Sequence, residues 1–171
     1  MAQTENQGSM TQPSSAKSVK QSQVEMTELV LPHHTNQLGT IFGGQVMAWI
    51  DIAAAIAATR HTRTVCVTAS IDALHFVAPV PVGHIVRLLA SVNYAGNTSM
   101  EIGVRLDSED PTSGDQSHVA TAYLTFVSLD SNRRPKKIPP ILPETEEERR
   151  RYTQAQVRRN SRLERKSGTK K

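Results

Sequence analysis

The segment Ile41–Ala58 constrains this chain more than any other. It reads Ile-Phe-Gly-Gly-Gln-Val-Met-Ala-Trp-Ile-Asp-Ile-Ala-Ala-Ala-Ile-Ala-Ala, and Asp51 is the only charged residue in it. The Ala, Met, Trp and Ile content predicts a helix from Gly43-Gly44 to about Arg60. A helix that is apolar on every side has no face for solvent, so other elements must wrap it. The carboxylate inside it must be paired, hydrogen-bonded or protonated, because burying a charge alone costs several kcal/mol. Asp51 is therefore the first candidate for chemistry. The plainer reading is a structural acid that pairs with backbone or with Arg60. A membrane span needs about 20 consecutive apolar residues, and Gln45 and Asp51 break this run, so no membrane span is expected.

The flanking sequence supplies the wrapping. Val24–Leu31 reads as a strand that ends at Pro32, and residues 33–40 form a polar loop containing Gly39. Val65–Val77 is β-branched and alternating, and Pro79-Val-Pro81 closes it. Gly83–Tyr94 is a further strand, ended by Gly96-Asn97. Met100, Ile102, Val104 and Leu106 alternate with Glu101, Gly103, Arg105 and Asp107, which predicts a strand buried on one face. A polar turn over 109–117 leads to a last strand, Val119–Leu129. The order strand, long helix, four strands implies an α+β fold in which an antiparallel sheet curls around one central helix. Past Pro139-Pro140 and Pro143, Glu144–Arg165 reads as an exposed, weakly packed helix. Its Glu-rich start and Arg-rich end complement the helix dipole.

Three segments follow: a disordered N-terminal tail over 1–23, a globular domain over 24–140, and a charged C-terminal helix and tail over 141–171. The single cysteine excludes an intramolecular disulfide and fits a reducing, cytoplasmic setting, with Cys66 as a small core residue. Residues 1–132 carry a net charge of −5, and residues 133–171 carry +9. The basic arm reads either as a solvated surface or as a phosphate contact. It has one aromatic, Tyr152, and no base-reading motif, so a nucleic-acid partner is not expected. The chain has no His/Cys/Asp spacing for a metal, no Gly-x-Ser-x-Gly elbow and no Walker-type phosphate loop.

The block Pro32-His-His-Thr-Asn36-Gln-Leu-Gly39-Thr-Ile-Phe-Gly43-Gly44-Gln-Val-Met-Ala-Trp-Ile-Asp51 resembles the signature of hotdog-fold acyl-CoA thioesterases. Arg60-His61, Val67-Thr-Ala-Ser70, His75-Phe-Val-Ala-Pro79, Gly83, Asn97-Thr-Ser99 and Phe126-Val127 extend the resemblance across about Val24–Pro139. It is closest to single-hotdog bacterial acyl-CoA hydrolases and their animal tandem-domain relatives. The resemblance implies hydrolysis of acyl-CoA to free acid and CoA, with CoA entering only as part of the substrate and no separate cofactor. It also implies a homodimer with shared active sites, assembled further as a trimer of dimers. In it, Asn36 of one subunit works with Asp51 of the other.

Within that resemblance Asp51 acts as general base or as nucleophile, its dry surroundings raising its basicity. Asn36 supplies an amide; its local alternative is ordinary turn chemistry. The N–H groups at Gly43 and Gly44 open the helix and suit an oxyanion, although glycines there also permit close packing. Asn97, Thr98 and Ser99 are candidates for contact with CoA, the alternative being a simple hairpin turn. Relatives often carry a Lys where Ala78 stands, so Arg133, Arg134, Lys136 and Lys137 are the candidates for its phosphates. His33 and His34 lack an acidic partner and are not read as catalytic. His75 is read as a sheet histidine, and His61 as a charge at the helix end. Two other readings compete: a hotdog hydratase acting on enoyl thioesters, and a non-catalytic acyl-CoA sensor.

Overall fold

The computed structural model describes residues 15–168, with side chains described through Arg165. The chain enters through a two-residue strand, β1 (Lys17–Ser18), and a 3-10 turn over Val19–Ser22. Next come β2 (Val24–Leu29), the 20-residue helix α1 (Gly43–Thr62) and β3 (Val65–Ile71). Three long strands follow: β4 (Ile85–Ala95), β5 (Ser99–Glu109) and β6 (Gln116–Leu129). The chain ends with β7 (Ile141–Leu142) and α2 (Glu146–Gly168). The main sheet is antiparallel in the order β2-β4-β5-β6-β3. It wraps α1, which is the hotdog arrangement.

The strand alternation decides which face meets the helix. Met100, Ile102, Val104 and Leu106 of β5 are buried, as are Val86, Leu88, Ala90 and Val92 of β4 and Ala120, Ala122, Leu124 and Phe126 of β6. Against them α1 packs Val46, Trp49, Ile50, Ala53, Ala54, Ala57 and Ala58. These positions recur at the helical period, and four alanines let the helix axis lie close to the strands. The other side of α1 keeps Met47, Ile52 and Ile56 exposed. The helix is apolar all round in sequence but buried on one side only in the protomer.

Several expectations need correction. The disordered tail does not extend to residue 23: β1 pairs in parallel with β7, and Val19 and Ser22 are buried. The anchor is α1, whose C-terminal carbonyl at His61 accepts a hydrogen bond from Lys17 Nζ at 2.6 Å, while the Arg60 guanidinium donates to the Gln23 carbonyl. The rest of the expected tail, residues 1–14, lies outside the described residues. The expected strand Val65–Val77 ends at Ile71; beyond it only Asp72 N–H to Tyr123 O and Val77 N–H to Val119 O tie the chain to β6. His75 is therefore in an exposed extended segment rather than in the sheet. His61 is no charged cap. It is fully buried, its Nε2 lies 2.8 Å from Pro139 O, and Nδ1 has no partner. Burial, with Lys17 adding to it, pushes this imidazole below its ordinary value, although the Pro139 bond opposes the shift. Cys66 is half-buried against the core, with Sγ 3.2 Å from Thr62 Oγ1.

The C-terminal helix is also less exposed than expected. Thr145 and Glu148 form a reciprocal capping box: Glu148 N–H donates to Thr145 Oγ1 at 3.2 Å, and Glu148 Oε2 accepts from Thr145 N–H at 3.1 Å. Ala155 is fully buried, and Tyr152 stacks 5.2 Å from Tyr94 on β4. The outer face of β5 presents Glu101, which is 1% exposed and accepts from both Arg158 (2.7 Å) and Arg162 (2.9 Å). Arg162 also reaches Asp72 at 2.7 Å, and Arg158 lies 3.7 Å over the Tyr123 ring. Charge pairing and cation–π contact thus dock a helix that has almost no apolar stripe.

Glu101→Ala leaves two arginines beside a buried gap and is expected to lower stability by about 3 kcal/mol, the scale for breaking a buried pair. Urea denaturation measures the loss, and limited proteolysis should cut α2 first. An unchanged midpoint would mean that these pairs do not hold the helix. His61 gives a pH signature. Its folded pKa is depressed, so the unfolded chain takes up the proton first as pH falls below about 6.5. Stability is expected to fall from there, by at most one proton's worth, about 1.4 kcal/mol per pH unit. In a series of melts from pH 7.5 to 5, His61→Gln should flatten that slope.

Candidate functional site

Asp51 lies on the flank of α1 that borders strand β3. Positions 46, 50, 53, 54, 57 and 58 point inward, and residue 51, turned about 100° from Ile50, stands at the margin of that buried face. Within the single chain Asp51 is half-buried. Its Oδ1 accepts a 2.7 Å hydrogen bond from Thr68 Oγ1 on β3. Arg60, the structural partner considered for it, is instead bound to Gln23. Thr68 belongs to the Val67-Thr-Ala-Ser70 block, but sequence reading assigned it no role. The pairing of residues 17 positions apart on a helix and a strand is a product of the tertiary fold.

Asn36 heads the loop before α1. Its Oδ1 accepts from Leu38 N–H at 2.9 Å and Thr40 N–H at 3.3 Å, and its Nδ2 lies 3.0 Å from Thr40 Oγ1. This is the turn chemistry considered as its local alternative. It leaves the side chain exposed, with a second amide hydrogen for another acceptor. Among the described residues no hydrogen bond joins Asn36 to Asp51 of the same chain. His34 has a structural task. Its Nδ1 accepts from Leu31 N–H at 3.2 Å, its carbonyl accepts from Phe42 N–H at 2.8 Å, and its ring meets Trp49 edge-on at 5.1 Å.

Gly43 and Gly44 form the first turn of α1, which begins with no side-chain cap. The leading N–H groups and the positive end of the helix dipole are therefore open to an acceptor. Close packing also applies: a Cβ on Gly44 would collide with the Phe42 ring. The two candidate CoA regions meet in space. Ser128 N–H donates to Thr98 O, Ile138 N–H to Asn97 O, and Lys136 N–H to Ser128 O. The hairpin turn Asn97-Thr98-Ser99 and the basic loop Arg133–Lys137 thus lie against one end of β6.

β3 is an outer strand of the sheet: Cys66 and Thr68 face α1, Val65 and Val67 alternate onto the other face, and Val65, Val67 and Ile71 are exposed. Among the described residues, no charged residue or proline within β3 and no neighbouring strand protects that edge. Among the described residues no helix is long and apolar enough to cross a membrane.

Comparison with known proteins adds independent findings. Residues 38–114 match the Thioesterase superfamily model. The uncharacterized acyl-CoA thioester hydrolase YkhA of Bacillus subtilis is 42% identical over 86% of this chain and 86% of its own. The fold superposes on an apo-hexameric acyl-CoA thioesterase with a TM-score of 0.86 at 41% identity, covering 88% of this chain and 97% of that one. An acyl-CoA hydrolase of Staphylococcus aureus, solved with butyryl coenzyme A, coenzyme A and coenzyme A disulfide, matches at 0.85 and 38%, over 91% and 94% of the chains. Alanine variants of that hydrolase at one Asn, one Asp and one Thr have also been solved.

Thr68→Val removes the hydroxyl that holds Asp51 while keeping the side-chain shape. Both groups are near solvent, so the melting temperature should change little, with a cost of about 1 kcal/mol or less. A large thermal shift would mean that this bond is structural.

Proposed function

The chain belongs to the thioesterase superfamily, within its acyl-CoA hydrolases, and from that premise we propose that it cleaves acyl-CoA at sites shared between two subunits, with Asp51 from one and Asn36 from the other. The observation that carries this reading is the carboxylate of Asp51, held by Thr68 on an apolar face that has no cover in the protomer. Spacing supports it. In the Staphylococcus aureus hydrolase the substituted Asn, Asp and Thr are 15 and 17 positions apart, and Asn36, Asp51 and Thr68 have the same separations.

The thioester carbonyl is electrophilic, and its hydrolysis needs an activated oxygen and a donor for the developing oxyanion. In one route Asp51 takes a proton from water as the water oxygen attacks the carbonyl carbon. The carbon–sulfur bond then breaks, and the proton passes to the leaving CoA sulfur. In the other, Asp51 attacks directly and expels the CoA thiolate; water then opens the mixed anhydride to two carboxylates, one of its protons going to the thiolate and the other to solvent. Thr68 orients the carboxylate in both. Gly43 and Gly44 lie about 11–12 Å along α1 from Asp51 of the same chain, so the partner subunit that supplies Asn36 also supplies the Gly43 and Gly44 N–H groups that receive the oxyanion, and its Asn36 positions the carbonyl or the water. Pairing of the β3 edges of two copies would cover the exposed apolar row of α1 and complete the site, and the hexameric neighbours accord with such assembly. The turn Asn97-Thr98-Ser99 with Arg133, Arg134, Lys136 and Lys137 forms the polar rim proposed for the CoA nucleotide.

Asp51→Ala and Asn36→Ala are each expected to lower acyl-CoA hydrolysis by about 100-fold or more, with folding retained by circular dichroism. Thr68→Val should lower it by about 10-fold, the scale of one hydrogen bond to a charged group. Mixing the two alanine variants should restore partial activity, because a mixed dimer contains one intact site. Parent-like rates in either variant would remove that residue from the site, and no recovery in verified mixed dimers would exclude sharing. Single-turnover hydrolysis in heavy-oxygen water tests the anhydride route: label in Asp51, with an unlabelled product acid, requires an anhydride opened by water at the Asp51 carboxyl carbon. A double variant Lys136→Glu, Lys137→Glu should raise KM and leave kcat near the parent value.

A further inference from the structure

A cavity of about 340 Å³ lies at the start of α1, between Gly43 and the extended segment that follows β3. Its wall includes Ile41, Phe76, Val77, Ala78 and Val119, and no charged side chain lines it. It is pinned in place by backbone hydrogen bonds on both sides: Ile41 N–H to Val80 O at 2.7 Å and Val77 N–H to Val119 O at 2.9 Å. Val80 and Val119 are buried at its floor, while Phe76 is 48% exposed. A Cβ built on Gly43 would meet only the Phe76 ring, at 3.7 Å. Phe76 is thus the side chain that stands directly against the helix start.

We infer that this cavity receives the acyl chain of the substrate, and that Phe76 sets how long a chain is accepted. The inference rests on the oxyanion assignment to Gly43 and Gly44 above. A thioester oxygen held by those N–H groups fixes the carbonyl carbon within a few ångströms of the cavity mouth. One of its two substituents is then placed to enter the apolar space, and the other leads towards the polar rim. The amides and phosphates of CoA have no polar partner in this lining, whereas a hydrocarbon needs none. About 340 Å³ is near the lower end of the ~300–1,000 Å³ typical of ligand pockets, which suits an uncharged acyl group of short to medium length. Acyl groups ending in a second carboxylate would bring an unpaired charge into the cavity and are excluded.

The experiment is a kcat/KM series over straight-chain acyl-CoA esters from two to sixteen carbons, with succinyl-CoA added, on the parent, Phe76→Ala, Phe76→Leu and Ala78→Leu. Phe76→Ala should move the preferred length upward, raising the long-to-short ratio about tenfold or more, the scale of a few methylenes in an apolar pocket. Phe76→Leu should move it less in the same direction. Ala78→Leu should move it downward, and succinyl-CoA should be a poor substrate for all four. An unchanged length profile in variants that still turn over would overturn this inference and leave the Asp51 reading standing. A uniform rise in KM at every length would put the pantetheine arm here and also overturn it. Loss of the parent's oligomeric state on size exclusion in both Phe76 variants would assign the cavity to a second copy of the chain, with the same consequence. The Asp51 reading fails separately, if Asp51→Ala retains parent activity.

Discussion

The contact between α1 and the concave face of the sheet is the interaction on which the rest of this protein depends. Ala53, Ala54, Ala57 and Ala58 present almost no side-chain bulk, so the helix backbone approaches the strands closely while Val46, Trp49 and Ile50 fill the wider end. That choice of inward face sets the rotation of the helix. Once residues 50, 53 and 54 point inward, residue 51 is turned about 100° from Ile50, and the acid is delivered to the flank of α1 beside Thr68 on β3. Replacing one of the inward aliphatics costs about 2–5 kcal/mol for Ile to Ala, and it would also loosen the rotational setting of Asp51.

The same packing creates an unfinished surface. Among the described residues, the sheet ends at β3 without a charge, a proline or a further strand, and Met47, Ile52 and Ile56 of α1 are exposed. Soluble proteins ordinarily protect such an edge. Asp51 sits beside it, tied to the edge strand through Thr68. Surface that is costly to leave wet and a carboxylate that gains from exclusion of water thus coincide, which links assembly to chemistry in the reading given above.

The opposite face of the sheet solves its problem differently. There α2 is docked by Glu101, Arg158, Arg162 and Asp72, by Tyr94 against Tyr152, and by the Thr145–Glu148 capping box. Such contacts are specific in geometry but supply little apolar burial, so the helix is attached at a few strong points. Lys17 and the 2.8 Å His61–Pro139 contact hold the segments before β2 and after β6 against the C-terminus of α1 in a similar manner.

Much of this was legible in one dimension because periodicity reports directly on burial. The alternation from Met100 to Asp107 gave the two faces of β5, and the run Ile41–Ala58 gave the central helix. The Asn36, Gly43-Gly44 and Asp51 pattern pointed to the site and its chemistry through family resemblance. Sequence reading failed where a residue's environment comes from distant segments. His61 looks like a helix-end charge until Lys17 and Pro139 close over it, residues 17–22 look like a polar tail until β7 pairs with them, and Glu101 looks like the solvent side of a strand until α2 covers it. The sequence by itself thus determined the central helix, the long strands and the core face of β5, and singled out Asp51 as a candidate. Only the tertiary structure decided that Asp51 stands on the flank of α1 beside β3, that Thr68 holds it, and that the edge beside it stays open, because those facts depend on how helix and sheet rotate against each other and on no local pattern.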